Sequence, residues 1–277
     1  MWLSIFTIIW SYLVLAKYIT EQRIVEEEEM ACFIPFNDRN LDLSFFIFRP
    51  TIVIVDQLVD YLKHFSSTTH TLGCVHSAIF RSIHGSLIIW YGSWIKKSSD
   101  KDRDSLNASL LSMLSGGVSS MAIILEHGFY EAFAGEARDG TPAARFYTGD
   151  TVSMNALSLS TREVDLNRFS YACLAIFKDR FLRMDGAKGG ACLKSRGLSR
   201  VCAVFVWRSL QSCYSYILND DYRSSVLAYL DGMSMDIKYD IFRVVYVSGE
   251  NAMDFHFFPP HRLLETKGVH DSNKVAD

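Results

Sequence analysis

His127 and Glu131 are the pair whose types and spacing come nearest to chemistry. Four residues apart, they would share one face of a helix, and a histidine beside a carboxylate can begin a metal site or an acid–base pair. A zinc site needs at least three protein ligands. This pair has no third, so it reads as a surface pair. His70, His76 and His84 have no partner at helical spacing and no acid pair nearby. His256 and His261 bracket Pro259-Pro260 and read as exposed tail histidines. Asp236 with Asp240 and Glu250 with Asp254 have the spacing of paired carboxylates, but they flank a strand and read as solvated. An enzyme assignment requires polar groups that converge in a pocket, and a sequence does not display convergence. No catalytic, cofactor-binding or metal-ligating residue is therefore assigned, no cofactor is expected, and no small-molecule ligand is evident.

The common phosphate-binding and nucleophile motifs are missing. There is no G-x-x-x-x-G-K-[ST] loop and no G-x-G-x-x-G turn. The stretch Gly186-Ala187-Lys188-Gly189-Gly190 reads as a plain turn. Gly117-Val118-Ser119-Ser120-Met121 lacks the closing glycine of a nucleophile elbow. A net charge of −3 gives no reason to expect nucleic acid as a partner, because phosphate binding needs a concentrated basic surface. Lys96, Lys97, Lys101 and Arg103 are interleaved with Asp100, Asp102 and Asp104, which reads as a solvated turn. The six cysteines are scattered without a C-x-x-C pair and several sit in apolar strings. They read as reduced core residues.

The elements that would carry these residues alternate in type. Leu43 to Phe48 predicts a strand. Val55, Leu58, Val59 and Leu62 fall at i, i+3, i+4 and i+7, the pattern of an amphipathic helix. Leu87 to Tyr91 predicts a second strand. A helix capped by Asp104 or Ser105 carries Leu106, Leu110, Met113 and Leu114 and stops at Gly116-Gly117. Met121 to Leu125 predicts a third strand, residues 135–160 are the least regular part, and Asp165 caps a further helix. Val201 to Val206 and Ile241 to Val247 predict strands on either side of a helix holding Leu210, Cys213, Tyr214 and Ile217. No internal repeat is visible. Strand–helix alternation predicts an α/β fold, a mixed sheet covered by helices, preceded by one N-terminal hydrophobic helix.

That leader is residues 1–16, which hold no charged side chain and are followed by Lys17, Arg23 and Glu26 to Glu29. Its length, extended to about residue 20, suits a membrane span, and Trp2, Trp10, Tyr12 and Tyr18 suit membrane interfaces. A cleaved signal ending at Val14-Leu15-Ala16 and a buried core helix are the rival readings. The organisation expected is a membrane-anchor segment at 1–20, an acidic linker at 21–29, a single globular α/β domain at 30–265 and a flexible tail at 266–277. Lys17 and Arg23 after the apolar run place the domain on the cytosolic side. The only N-x-[ST] sequon, at Asn107, is a reporter for that orientation.

From Met30 onward the chain resembles a plant-specific family of uncharacterised proteins. The resemblance rests on Met30-Ala31-Cys32-Phe33, Pro35 to Asp42 (PFNDRNLD), Ile79 to Gly85 (IFRSIHG), Trp90-Tyr91-Gly92 and Tyr239 to Gly249 (YDIFRVVYVSG). It spans about residues 30–265, and residues 1–29 depart from the family's usual start. A membrane-anchored member is similar to the transmembrane type of component in rice embryo-sac killer–protector systems. That resemblance implies a role in reproduction, hybrid sterility and cell death at the endoplasmic reticulum, with a protein partner. The expectation is thus a single-pass membrane protein that is not an enzyme and works through protein interaction. The alternative is a soluble or secreted enzyme whose site is built from residues distant in sequence.

Overall fold

In the computed structural model the described residues are 31–36, 40–159, 171, 175, 177, 181, 184–197, 200–218 and 235–248. The expected leader, linker and tail lie outside them, as do His256, His261, Glu250 and Asp254.

Strand β1 is Cys32–Pro35 and β2 is Leu41–Pro50. Along β2 the side chains alternate. Leu43 and Phe45 enter one core cluster, whereas Phe46 and Phe48 enter a second beneath the helices, the two-residue period of a strand buried on both faces. Helix α1, Val55–Thr69, lays Leu58, Val59, Leu62 and Phe65 on that second cluster. Strands β3, Cys74–Ser82, and β4, Ile88–Ile95, form a hairpin. Helix α2, Asp100–Val118, starts about one and a half turns earlier than expected because Ser99 is its cap, with Oγ accepting from the Asp102 amide at 3.1 Å. It also runs through Gly116-Gly117. A Cβ at Gly117 would sit 2.2 Å from the Tyr61 ring, so this glycine admits α1 instead of ending α2.

The remaining elements are β5, Ala122–Ala137; β6, Ala143–Phe146; β7, Thr151–Leu159; β8, Ala187–Ser195; β9, Arg200–Trp207; α3, Leu210–Ile217; and β10, Met235–Ser248. Eight strands close into a barrel in the order β10-β3-β4-β2-β5-β8-β9-β7. Every pairing is antiparallel. The α/β mixed sheet with a leading hydrophobic helix is thereby corrected to a mostly β, closed antiparallel barrel with helices outside. The strands missed were those without apolar runs. β3 carries His76, Ser77, Arg81 and Ser82, and β8 carries Gly189 and Gly190. Without them the chain reads as alternating strands and helices. With them α1 leads into the β3–β4 hairpin and β8 pairs antiparallel with both β9 and β5, so the neighbours are antiparallel rather than parallel.

The barrel is built from two like halves, although the sequence shows no repeat. β2, α1, β3, β4, α2 and β5 assemble as β5-β2-β4-β3, and β7 to β10 assemble as β10-β7-β9-β8. Equivalent hydrogen bonds mark the relation. Trp94 Nε1 donates to Ser44 Oγ and Trp207 Nε1 to Ser153 Oγ, both at 2.8 Å. At the two seams the Arg196 amide donates to the Phe129 carbonyl at 3.0 Å, and the Ile83 amide to Ile241 at 2.9 Å.

The lumen is filled unevenly. β1 and β6 pair as a two-stranded ribbon whose Ile34, Ala144 and Phe146 pack among the lumen residues. It is pinned where β3 begins: Tyr91 Oη donates to the Phe33 carbonyl at 2.8 Å and His76 Nε2 to the same oxygen at 2.9 Å. A Cβ at Gly135 would lie 2.0 Å from the Phe36 ring, so the wall is thinned where the ribbon enters. The opposite end of the barrel has no such plug among the described residues.

Among the described residues no helix is long and apolar enough to cross a membrane. The expected anchor, 1–20, lies outside them.

Candidate functional site

β5 changes partner at Tyr130. From Ala122 to Phe129 it pairs with β2, while the ladder with β8 begins at Tyr130 opposite Ser195. This leaves a slot in the barrel wall at the unplugged end. Glu126 and Arg200 form an ion pair across it, and Tyr130 Oη donates to Glu126 Oε1 at 3.0 Å. Gly128 lies on the same strand, and a Cβ there would meet nothing nearer than Tyr130 at 4.0 Å, so lumen space is left open beside the slot.

A cavity of about 1280 Å³ occupies this region. Its lumen side is apolar, with Ile47, Leu87, Ile89, Met154 and Phe242. Its outer side runs beneath α2, where Asp100, Arg103, Asp104 and Asn107 line it. These four fall at i, i+3, i+4 and i+7, one helical face. Asp100, Arg103 and Asp104 belong to the stretch that reads as a solvated turn in sequence. The Ser99 cap places them instead on the first turns of a helix facing a cavity.

The walls are tied together by a buried carboxylate. Asp42 is fully buried. It accepts from the Lys97 amide at 3.1 Å and lies 3.4 Å from Arg103 Nε and 3.8 Å from Arg196 Nη2. Arg103 also reaches Asp100 at 2.7 Å, and Arg196 reaches Glu131 at 2.8 Å. α2 and the turn after β8 are thus held to β2 through one side chain.

His127 lines the cavity from the outer face of β5. Its ring stacks on Phe46 with centroids 5.7 Å apart and planes at 19°. Nδ1 is buried without a hydrogen-bond partner, which leaves Nε2 as the nitrogen for the cavity. Desolvation by burial lowers its pKa from the ordinary histidine value, so the ring is a neutral base at pH 7. Asn107 Oδ1, across on α2, is likewise buried with no partner.

His127 and Glu131 do share a face, but of a strand, and Glu131 is engaged by Arg196. Asp240 lines the cavity. Asp236 is in β10, and its side chain is not among those described. His70 Nδ1 bonds the Cys74 carbonyl at 3.1 Å, His76 is in the core, and His84 contacts Tyr214. Among the described residues no group of three or more His, Cys, Asp or Glu is placed to hold a metal ion. Cys32, Cys74, Cys192, Cys202 and Cys213 are all buried.

Residues 128–242 match a domain family of unknown function, DUF7392. No curated protein matches the chain in sequence. Solved structures match in fold. A crystal structure described as an anthrone oxidase-like protein shares 14% identity over 78% of this chain and 96% of that one, with a TM-score of 0.63. A candidate monooxygenase from Fusobacterium nucleatum shares 9% identity over 76% of this chain and 95% of that one, with a TM-score of 0.54. These likenesses overturn the expectation of a membrane-anchored, non-enzymatic interaction protein. The barrel is a fold carried by chains described as oxidising enzymes, and it holds a cavity lined from strands and a helix far apart in sequence. Single-pass placement in the endoplasmic reticulum membrane and the membrane as a partner are corrected with it, since among the described residues no helix is long and apolar enough to cross a membrane.

Proposed function

We propose that the cavity is the active site of an oxygen-using enzyme. Its substrate would be a small fused-ring carbon acid of the anthrone type, with His127 as the base. The observation that carries this is the neutral, partly buried His127 ring on the wall of a cavity whose other side is apolar. The fold likeness to a chain described as anthrone oxidase-like supports the substrate class.

The chemistry asks little of the protein. A methylene between two aromatic rings and conjugated to a carbonyl loses a proton to give a delocalised enolate. That enolate passes electrons to dioxygen. In the overall balance one methylene and one dioxygen become one carbonyl and one water. Both methylene C–H bonds and the dioxygen bond break, and a carbonyl bond and two O–H bonds form. The protein must desolvate the ring system, hold it against a base and keep the base unprotonated. Ile47, Leu87, Ile89, Met154 and Phe242 supply the apolar wall. The volume, about 1280 Å³, exceeds the roughly 300–1,000 Å³ of common ligand sites and accommodates a tricyclic ring. His127 Nε2 takes the proton, and its lowered pKa keeps it ready at neutral pH.

The test is oxygen uptake with anthrone, followed beside the rise of quinone absorbance and corrected for spontaneous oxidation. The full chain should accelerate both. His127→Gln should lower kcat by roughly 10²–10⁴, the usual size of a lost general base, with an unchanged melting temperature. A wild-type rate equal to the spontaneous one, or a variant as fast as wild type, would overturn the reading. Kinship of residues 30–265 with the plant family of uncharacterised proteins is part of the same proposal, supported by the quoted strings.

A further inference from the structure

Four arginines line the cavity: Arg49, Arg103, Arg196 and Arg200. Three are neutralised by carboxylates. Arg103 is paired with Asp42 and Asp100, Arg196 with Asp42 and Glu131, and Arg200 with Glu126. Arg49 is the exception. Among the described residues no carboxylate lies within ion-pair distance of it. It stands near the end of β2, two residues beyond Ile47 and so on the same face of the strand, opposite Ile123 on β5. Its guanidinium therefore sits at the rim of the apolar chamber.

Asp240 also lines the cavity, but on β10, which is three strands from β2 in the order β10-β3-β4-β2. At about 4.8 Å per strand that is about 14 Å along the wall, too far for neutralisation. Its Oδ1 is engaged by the Ile241 amide at 2.8 Å. Asp104 lies on the outer side, on α2.

We infer that Arg49 receives an acidic group of the substrate, a carboxylate carried on the ring system whose apolar body enters the lumen. This rests on the reading of the cavity as a ring-binding site. A planar guanidinium forks onto a carboxylate with two parallel hydrogen bonds. An acid at the rim fixes which edge of the ring points inward. The interaction is in partly solvated surroundings, so it selects between ligands more than it raises affinity.

The experiment compares two stable probes by titration calorimetry with the full chain: anthraquinone-2-carboxylate and the neutral 2-(hydroxymethyl)anthraquinone. Wild type should bind the carboxylate roughly tenfold tighter, the low end for a charge-assisted hydrogen bond. That preference should shrink as salt screens the charge. Arg49→Gln should bind both probes like the neutral one, and Arg49→Lys should keep part of the preference. Equal affinity of wild type for the two probes would overturn the role of Arg49, as would a preference that survives in Arg49→Gln. Either result leaves the ring-binding reading standing. Binding of neither probe would overturn both.

Discussion

Two histidines in this barrel are kept neutral by desolvation, and pH separates their roles. His127 lines the cavity and its pKa is lowered by burial. As the base it must be unprotonated, so activity falls where it gains a proton. The acid limb of kcat/KM should then lie below the free-imidazole value of about 6.5. A limb at or above that value would assign the base elsewhere. His76 is fully buried, and burial lowers its pKa to about 4, partly offset by its bond to the Phe33 carbonyl. Between pH 6.5 and 4 the unfolded chain binds this proton and the folded chain does not. Stability is therefore complete above pH 6.5 and falls as pH drops through that window. The loss sums to roughly 3 kcal/mol by proton linkage. Urea unfolding at pH 7 and pH 4.5 should reveal it, and His76→Gln should remove this share of the pH dependence. An equal pH dependence in that variant would mean that other groups carry the acid limb.

At the level of elements, periodicity was readable and its context was not. The stripe of Leu58, Val59 and Leu62 predicts α1, and all three are buried against the barrel. Leu58 has no exposed surface, and Leu58→Ala should cost about 2–5 kcal/mol. Chemical denaturation checks this, and a cost near zero would mean that the site collapses around the loss. β2, β4, β9 and β10 were legible as apolar runs because the lumen and the helices bury both their faces. β3 and β8 were not, since serine, histidine and glycine serve there for close packing and hydrogen bonds. Gly117 shows the same limit. Its type suggests a helix stop, whereas its place is fixed by Tyr61 on another helix. The polar stripe of Asp100, Arg103, Asp104 and Asn107 had helical spacing from the start. Its meaning depended on Asp42, 58 residues before Asp100, which holds the helix over the cavity.

The whole molecule is where sequence says least, because the cavity belongs to neither half alone. His127 comes from one half and Arg200 and Met154 from the other, joined at the seam where β5 meets β8. The shared Trp–Ser bonds of the halves are single residues apart in pattern, too sparse to register as a repeat. The boundaries of the matched domain, 128–242, cut through β5 and β10 and omit β2, β3 and β4. A fragment of those residues would keep β8, β9 and β7 but lose the strands that close the barrel. Ala191, Leu193, Cys202, Val204, Val206, Val152 and Met154, all buried in the closed lumen, would face water. At about 25 cal/mol for each Å² of apolar surface left exposed, several such side chains outweigh the 5–15 kcal/mol margin typical of a domain. The fragment 128–242 should therefore give no cooperative thermal transition and should bind a dye specific for exposed apolar surface, while the full chain melts cooperatively. A sharp melt of the monomeric fragment, with the strand signature of the full chain in circular dichroism, would show that the second half folds without closure. The two halves would then be domains in their own right, not two parts of one core.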